Sequence, residues 1–203
     1  DTGASEKWLH HLEYAGRLSY EAVNDPSIND SVRFYKSLAL GRYVAILQAR
    51  QSAAKAYELF SQSKVTQAIA AYVEVRNLFQ RNGDLRDALL AEYRLGYCYF
   101  QDADLERSEA VFTELVKSAG EKRYYWLQAI AMHGLAATHE AKGNYSKALD
   151  YCQRSRQLVE RIGDDNGRLR SANLQASLYR FLGKYQDSLL VIQIRRASCR
   201  ERV

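Results

Sequence analysis

Shifted against itself by 40 residues, the chain lays small residues on small and large on large, and a period of that length restricts it to stacked supersecondary units. Ala56, Gly96, Ala136 and Ala176 form one small column, and Leu59, Tyr99, His139 and Tyr179 form a large one three residues later. Twelve residues beyond the first column stand Ala68, Ser108, Ala148 and Ser188, with Val65, Leu105, Tyr145 and Tyr185 before them and Tyr72, Phe112, Cys152 and Ile192 after. Two small columns, each flanked by large apolar residues at helical spacing, describe two antiparallel helices whose backbones approach closely. Each unit reads as a helical hairpin, and the chain as all-α. The units fall at 45–84, 85–124, 125–164 and 165–193, the last one cut short.

Turn chemistry divides the units. Arg81-Asn82-Gly83-Asp84 and Arg161-Ile162-Gly163-Asp164 each offer a glycine for the left-handed position after a helix and an aspartate to cap the next one. Within units, Lys142-Gly143-Asn144-Tyr145 and Leu182-Gly183-Lys184-Tyr185 mark tight turns of the same kind. Ser63-Lys64-Val65 and Ala103-Asp104-Leu105 lack glycine, so a different turn is expected there.

Residues 1–44 fit the period less well. Lys7 to Val23 reads as an amphipathic helix, broken at Asn24-Asp25-Pro26-Ser27, and a second helix is expected from about Ser31 with Asp30 as its cap and Gly41 as its one candidate stop. Together they are expected to form a degenerate fifth hairpin. At the other end, Ile194 to Val203 differs at one position from the translation of a common sequencing adapter. It is expected to be non-native, and removing its four Arg and one Glu lowers the formal charge from +5 to +2. The chain is then expected to continue into further repeats.

Leu95-Gly96-x-x-Tyr99, Gly143-x-Tyr145-x-x-Ala148-Leu149 and Gly183-x-Tyr185-x-x-Ser188-Leu189 resemble the signatures of the tetratricopeptide repeat family over about residues 45–193. The period of 40 instead of 34, and the absence of the family's first-helix Trp and boundary Pro, are similar to the extended repeats of kinesin light chains and of bacterial signalling proteins. The resemblance implies a right-handed superhelical solenoid whose first helices line a concave groove. It directs into that groove Arg50 and Arg170, then Ala53, Tyr93, His133 and Asn173, then Tyr57, Tyr97, Ala137 and Ser177, then Phe60, Phe100, Glu140 and Arg180. The candidate peptide-binding residues are therefore Tyr57, Phe60, Tyr93, Arg94, Tyr97, Phe100, His133, Glu140, Asn173 and Arg180, an aromatic strip that turns polar along the stack. Aromatics packed into the neighbouring hairpin are the competing explanation. A clamp for a peptide carboxylate is not expected, because Ala53/Tyr57 and Tyr93/Tyr97 occupy the positions that would need Lys and Asn.

Little else carries chemistry. No phosphate-cradling loop or nucleophile elbow occurs, His133 and His139 are too far apart on a helix to share a metal, and Asp164-Asp165-Asn166-Gly167 lacks the outer carboxylates of a calcium loop. No catalysis, cofactor or metal is expected. Cys98 and Cys152 read as buried thiols and three cysteines cannot build a disulfide framework, which points to a reducing, cytoplasmic setting. No run of apolar residues suits a membrane span. The cluster Arg154, Arg156, Arg161, Arg168 and Arg170 is diluted by Glu160, Asp164 and Asp165, so nucleic acid is not an expected partner. The favoured function is a scaffold that binds a protein or peptide in its groove. The alternative is the sensor arm of a larger signalling protein whose protease, kinase or DNA-binding effector lies outside this sequence and could itself be the partner.

Overall fold

The computed structural model describes residues 2–200, with side chains for residues 7–193; the segment 194–203, read above as non-native, lies outside the described side chains. Among the described residues there are ten helices and no strand. They are α1 Thr2–Val23, α2 Ser27–Lys36, α3 Leu40–Ser61, α4 Val65–Arg81, α5 Leu85–Gln101, α6 Leu105–Glu121, α7 Tyr125–Ala141, α8 Tyr145–Arg161, α9 Asp165–Phe181 and α10 Tyr185–Arg200. From α3 onward each helix packs on the next, and α5 touches α7 as α7 touches α9. The odd helices therefore form the inner layer of a curved stack, with the even helices outside.

The small columns explain why the layers can approach. Ala56, Gly96, Ala136 and Ala176 are buried, as are Ala68, Ser108, Ala148 and Ser188. Where a small residue is polar it bonds across the crossing: the Ser108 and Thr138 hydroxyls meet at 3.0 Å, and the Ser188 hydroxyl donates to the Ala176 carbonyl at 2.9 Å. Burying these hydroxyls is tolerated because each has a partner.

The turns correct one expectation. Ser63 and Ala103 adopt the same left-handed conformation (φ 60° and 59°) as Gly143 and Gly183 (75° and 71°). All four turns close with the same bond, from the N–H of Lys64, Asp104, Asn144 or Lys184 to the carbonyl of Leu59, Tyr99, His139 or Tyr179, at 2.8–3.0 Å. Packing on both sides of the turn imposes the geometry whether or not glycine is present. The left-handed conformation costs a residue with a Cβ about 1–2 kcal/mol, part of which glycine returns through its freer unfolded state. Ala103→Gly is therefore expected to stabilise the fold by about 1 kcal/mol, and thermal denaturation should show a midpoint about 3 °C higher. An unchanged or lower midpoint would show that the turn carries no strain.

The N-terminal region also differs from expectation. The α2 helix begins at Ser27, directly after Pro26 at its N-cap, so that Asp30 lies in its first turn instead of capping it. A break follows at 37–39, where Ala39 is extended (φ −70°, ψ 153°), and Gly41 sits inside the first turn of α3. Glycine costs little there, since a first-turn N–H has no helical partner to lose. The α1–α2 pair is placed unlike the four units: α2 touches α5, and the pair's polar side chains reach the turns between units.

Candidate groove on the inner layer

The contacts of α5 with α7 and of α7 with α9 line these helices up along the inner surface, with α3 at the start of the row. Ten residues predicted for that surface divide into two sets. Tyr57 is exposed, and the Arg94 guanidinium lies 5.3 Å from its ring centroid and 5.7 Å from that of Tyr93. Among the described residues no carboxylate pairs with Arg94. Asn173 and Arg180 are exposed, and half-buried Glu140 accepts from the Ser177 hydroxyl at 3.2 Å.

The remaining predicted residues are partly drawn into the core. Tyr93 and Tyr97 meet edge to face at 5.1 Å and both pack on Phe112, at 6.2 Å and 5.3 Å. Phe100 continues the cluster at 6.4 Å from Tyr97, and Phe60 packs against the core of the first unit. Burial, followed by the neighbouring Tyr93, raises the Tyr97 phenol above its ordinary pKa. His133 is mostly enclosed with its Nδ1 unpartnered, beside a cavity of about 30 Å³ shared with Tyr93, Tyr97, Ser155 and Arg170. That space suits a single water. Burial and, second, the Arg170 charge lower the His133 pKa to about 4.

A larger cavity of about 220 Å³ opens between α3, α4 and α5. Its floor is Tyr72, Val75 and Phe79, its walls are Ala53, Tyr57, Leu90 and Ala91, and Arg50, Asp87 and Arg94 ring it. Arg50 is half committed, with Asp87 at 3.3 Å and the Tyr35 hydroxyl at 2.6 Å. Sequence reasoning placed Arg50 and Ala53 on this surface but missed Tyr72 and Phe79, second-helix residues that the wide spacing of α3 and α5 leaves reachable. The signal was small Ala53 where the next unit has Tyr93, a side chain too short to fill the gap.

Elsewhere the structure places residues as their neighbours dictate. The five arginines of the basic cluster are each engaged: Arg154 with Asp150, Arg156 with Glu160, Arg161 with the Val23 carbonyl and the Tyr125 ring, Arg168 with Asp165, and Arg170 with Asp164. His139 is buried, stacks on Tyr151 at 5.5 Å and lies 3.5 Å from Glu109, a packing role as expected. Burial pushes the Cys98 and Cys152 thiols up to about 12, so neither is reactive near neutral pH. Among the described residues no His, Cys, Asp and Glu gather as a metal site, and no helix is long and apolar enough to cross a membrane.

Residues 127–192 match the family model for the tetratricopeptide repeat. No curated protein matches the chain. Among solved structures, the kinesin light chain nearly identical TPR-like repeats assigned to Podosopora anserina superpose with a TM-score of 0.65 at 14% identity, covering 77% of each chain. A single-residue variant of them gives 0.65 at 14%, covering 76% of each. At such identity the likeness is one of fold. Tetratricopeptide repeats generally mediate protein–protein interaction and are typically non-catalytic scaffolds. Residues 127–192 thus carry the tetratricopeptide repeat pattern, and the described hairpins stack as those TPR-like repeats do.

Proposed function

We propose that the chain is a binding scaffold whose inner groove takes an extended segment of a partner protein, with the cavity between α3, α4 and α5 as the anchor site. The cavity itself is the observation that supports this reading. At about 220 Å³ it exceeds the ~150 Å³ that accommodates benzene in an apolar protein interior, so it can enclose one large aliphatic or aromatic side chain. The aromatic floor and walls favour that filling, and Arg94, held over two rings without a carboxylate, complements an acidic group beside the anchor. Tyr57, Arg94, Glu140, Asn173 and Arg180 would flank the bound segment, while Tyr93, Tyr97, Phe100, Phe60 and His133 would support the groove from beneath. No role in catalysis is assigned to any of them.

Selection from a displayed random-peptide library on the purified protein tests this. The selected peptides should carry a large apolar residue next to Asp or Glu. Tyr57→Ala and Arg94→Met should each weaken them at least about tenfold, with helical circular dichroism unchanged. Peptides that bind both variants as they bind the parent protein would place the partner site elsewhere.

A further inference from the structure

At the starts of α5 and α9 the turn supplies a left-handed glycine and a capping aspartate: Asp84 accepts the Asp87 N–H, and Asp164 accepts the Gly167 N–H. The start of α7 departs from that pattern. Arg123 takes the left-handed position at φ 59°, and Tyr124 stands in the cap column with no side-chain bond to its helix. What this turn lacks comes from far along the chain. Asp25 Oδ2 accepts the Tyr125 N–H at 2.9 Å, an N–H that also approaches the Arg123 carbonyl at 3.0 Å, and Asp30 Oδ2 accepts the Tyr124 hydroxyl at 2.8 Å. Asp25 Oδ1 also accepts the first N–H of α2, from Ser27 at 2.9 Å. One carboxylate, only 4% exposed, thereby joins the N-termini of two helices, whose positive ends both favour it.

The same hairpin reaches the groove. The Tyr35 hydroxyl donates to Asp84 at 2.7 Å and accepts from Arg50 at 2.6 Å, with the guanidinium 5.0 Å from the ring centroid. Arg50 lines the groove cavity. The seating is nevertheless incomplete: a crevice of about 550 Å³, bordered by Leu18, Val23, Ile28, Trp126 and Leu127, lies between the hairpin and the edge of the stack. Phe34, Tyr35 and Leu38 pack on the core of the first unit, but the contacts at the α7 end are polar and surround a gap, and elements held in that way open at lower cost than the core.

We propose that the α1–α2 hairpin is a releasable brace: docked, it completes the N-terminus of α7 and pins Arg50 at the groove cavity, and released, it frees both. The groove half of this rests on the partner-site reading above, and the brace half does not.

Amide hydrogen exchange on the full chain, comparing the parent with Asp25→Ala/Asp30→Ala, tests it. The amides of Tyr125 and Gln128 should exchange at least about tenfold faster, while those of Gly167 and Arg168 behind the self-supplied cap of α9 keep their rates. The Arg50 Nε–H, followed by NMR, should accelerate together with α7. Tyr124→Phe, which removes one hydroxyl and no carboxylate, should give the same pattern at smaller amplitude and covers the case in which the double variant fails to fold. Unchanged rates at Tyr125 and Gln128, or equal acceleration at the starts of α7 and α9, would overturn the brace. Acceleration in α7 with Arg50 unaffected would overturn the coupling to the groove, an outcome distinct from failure of the peptide selection.

Discussion

Gly134→Ala should destabilise the fold by about 3 kcal/mol, the reverse of the stabilisation that alanine ordinarily gives inside a helix. A Cβ at Gly134 would sit 2.5 Å from Cζ of Phe112 and 2.7 Å from both of its Cε atoms. The ring cannot move away, because on its other side a Cβ at Gly96 would already meet it at 2.7 Å, and Tyr97 closes a third side at 5.3 Å. Phe112, fully buried on α6, is thus clasped between the bare backbones of α5 and α7. An added methyl has to displace a helix, which is the costly kind of overpacking. Urea denaturation of Gly134→Ala, Phe112→Leu and the pair tests the clasp. The smaller ring-less side chain should absorb much of the added methyl, so the two changes should couple by about 1–3 kcal/mol. Additive losses, or a Gly134→Ala protein as stable as the parent, would show that the ring is not clasped.

That clasp was half legible in the sequence. The column of Ala56, Gly96, Ala136 and Ala176 announced a close helix crossing, because smallness repeated every 40 residues has no other purpose in a helix. Gly134 was not legible, since it lies outside the repeating columns and answers only to the size of Phe112 on a different unit. The turns show the same division. Asp84 and Asp164 were readable as caps from local chemistry. The glycine-free turns at Ser63 and Ala103 were misread, because stacking on both sides fixes a conformation that local propensity alone would not choose. Column positions propose a candidate groove but give it no shape: whether Tyr97 is a contact or a support depends on Phe112, and whether a cavity opens beside Tyr57 depends on the spacing of α3 and α5. The docking of α1–α2 carried a signal that only structure made intelligible. The Gly-Asp pair that recurs at 83–84 and 163–164 is replaced at 123–124 by Arg-Tyr, and a repeat that breaks its own rule marks a place where something else bears on it.

The second large effect should appear on acidification, and it runs through His133. Burial, with Arg170 adding to it, holds the folded-state pKa at about 4 against an ordinary 6.5. The folded protein therefore keeps the imidazole neutral over a range in which the unfolded chain takes up a proton. The stability contributed by that neutrality is fully present above pH 6.5 and is lost progressively as pH falls toward 4, by about 3 kcal/mol over the interval at 1.36 kcal/mol per pH unit. Arg170 from α9 is the charge that opposes its protonation. Other groups titrate in the same window with both signs. Burial raises the carboxyl pKa values of Asp84 and Glu92, which favours the fold as pH falls, whereas His139, lowered by its own burial, acts in the same direction as His133. The contribution of His133 has therefore to be read as a difference. His133→Phe keeps an aromatic ring in a column that already holds Tyr93 one unit earlier, and removes the titration. Urea unfolding of the two proteins at pH 7 and pH 4 should show the parent losing about 3 kcal/mol more than the variant across that interval. Parallel losses would mean that the imidazole is protonated in the fold, and that a water or a shift of Arg170 solvates it between α7 and α9.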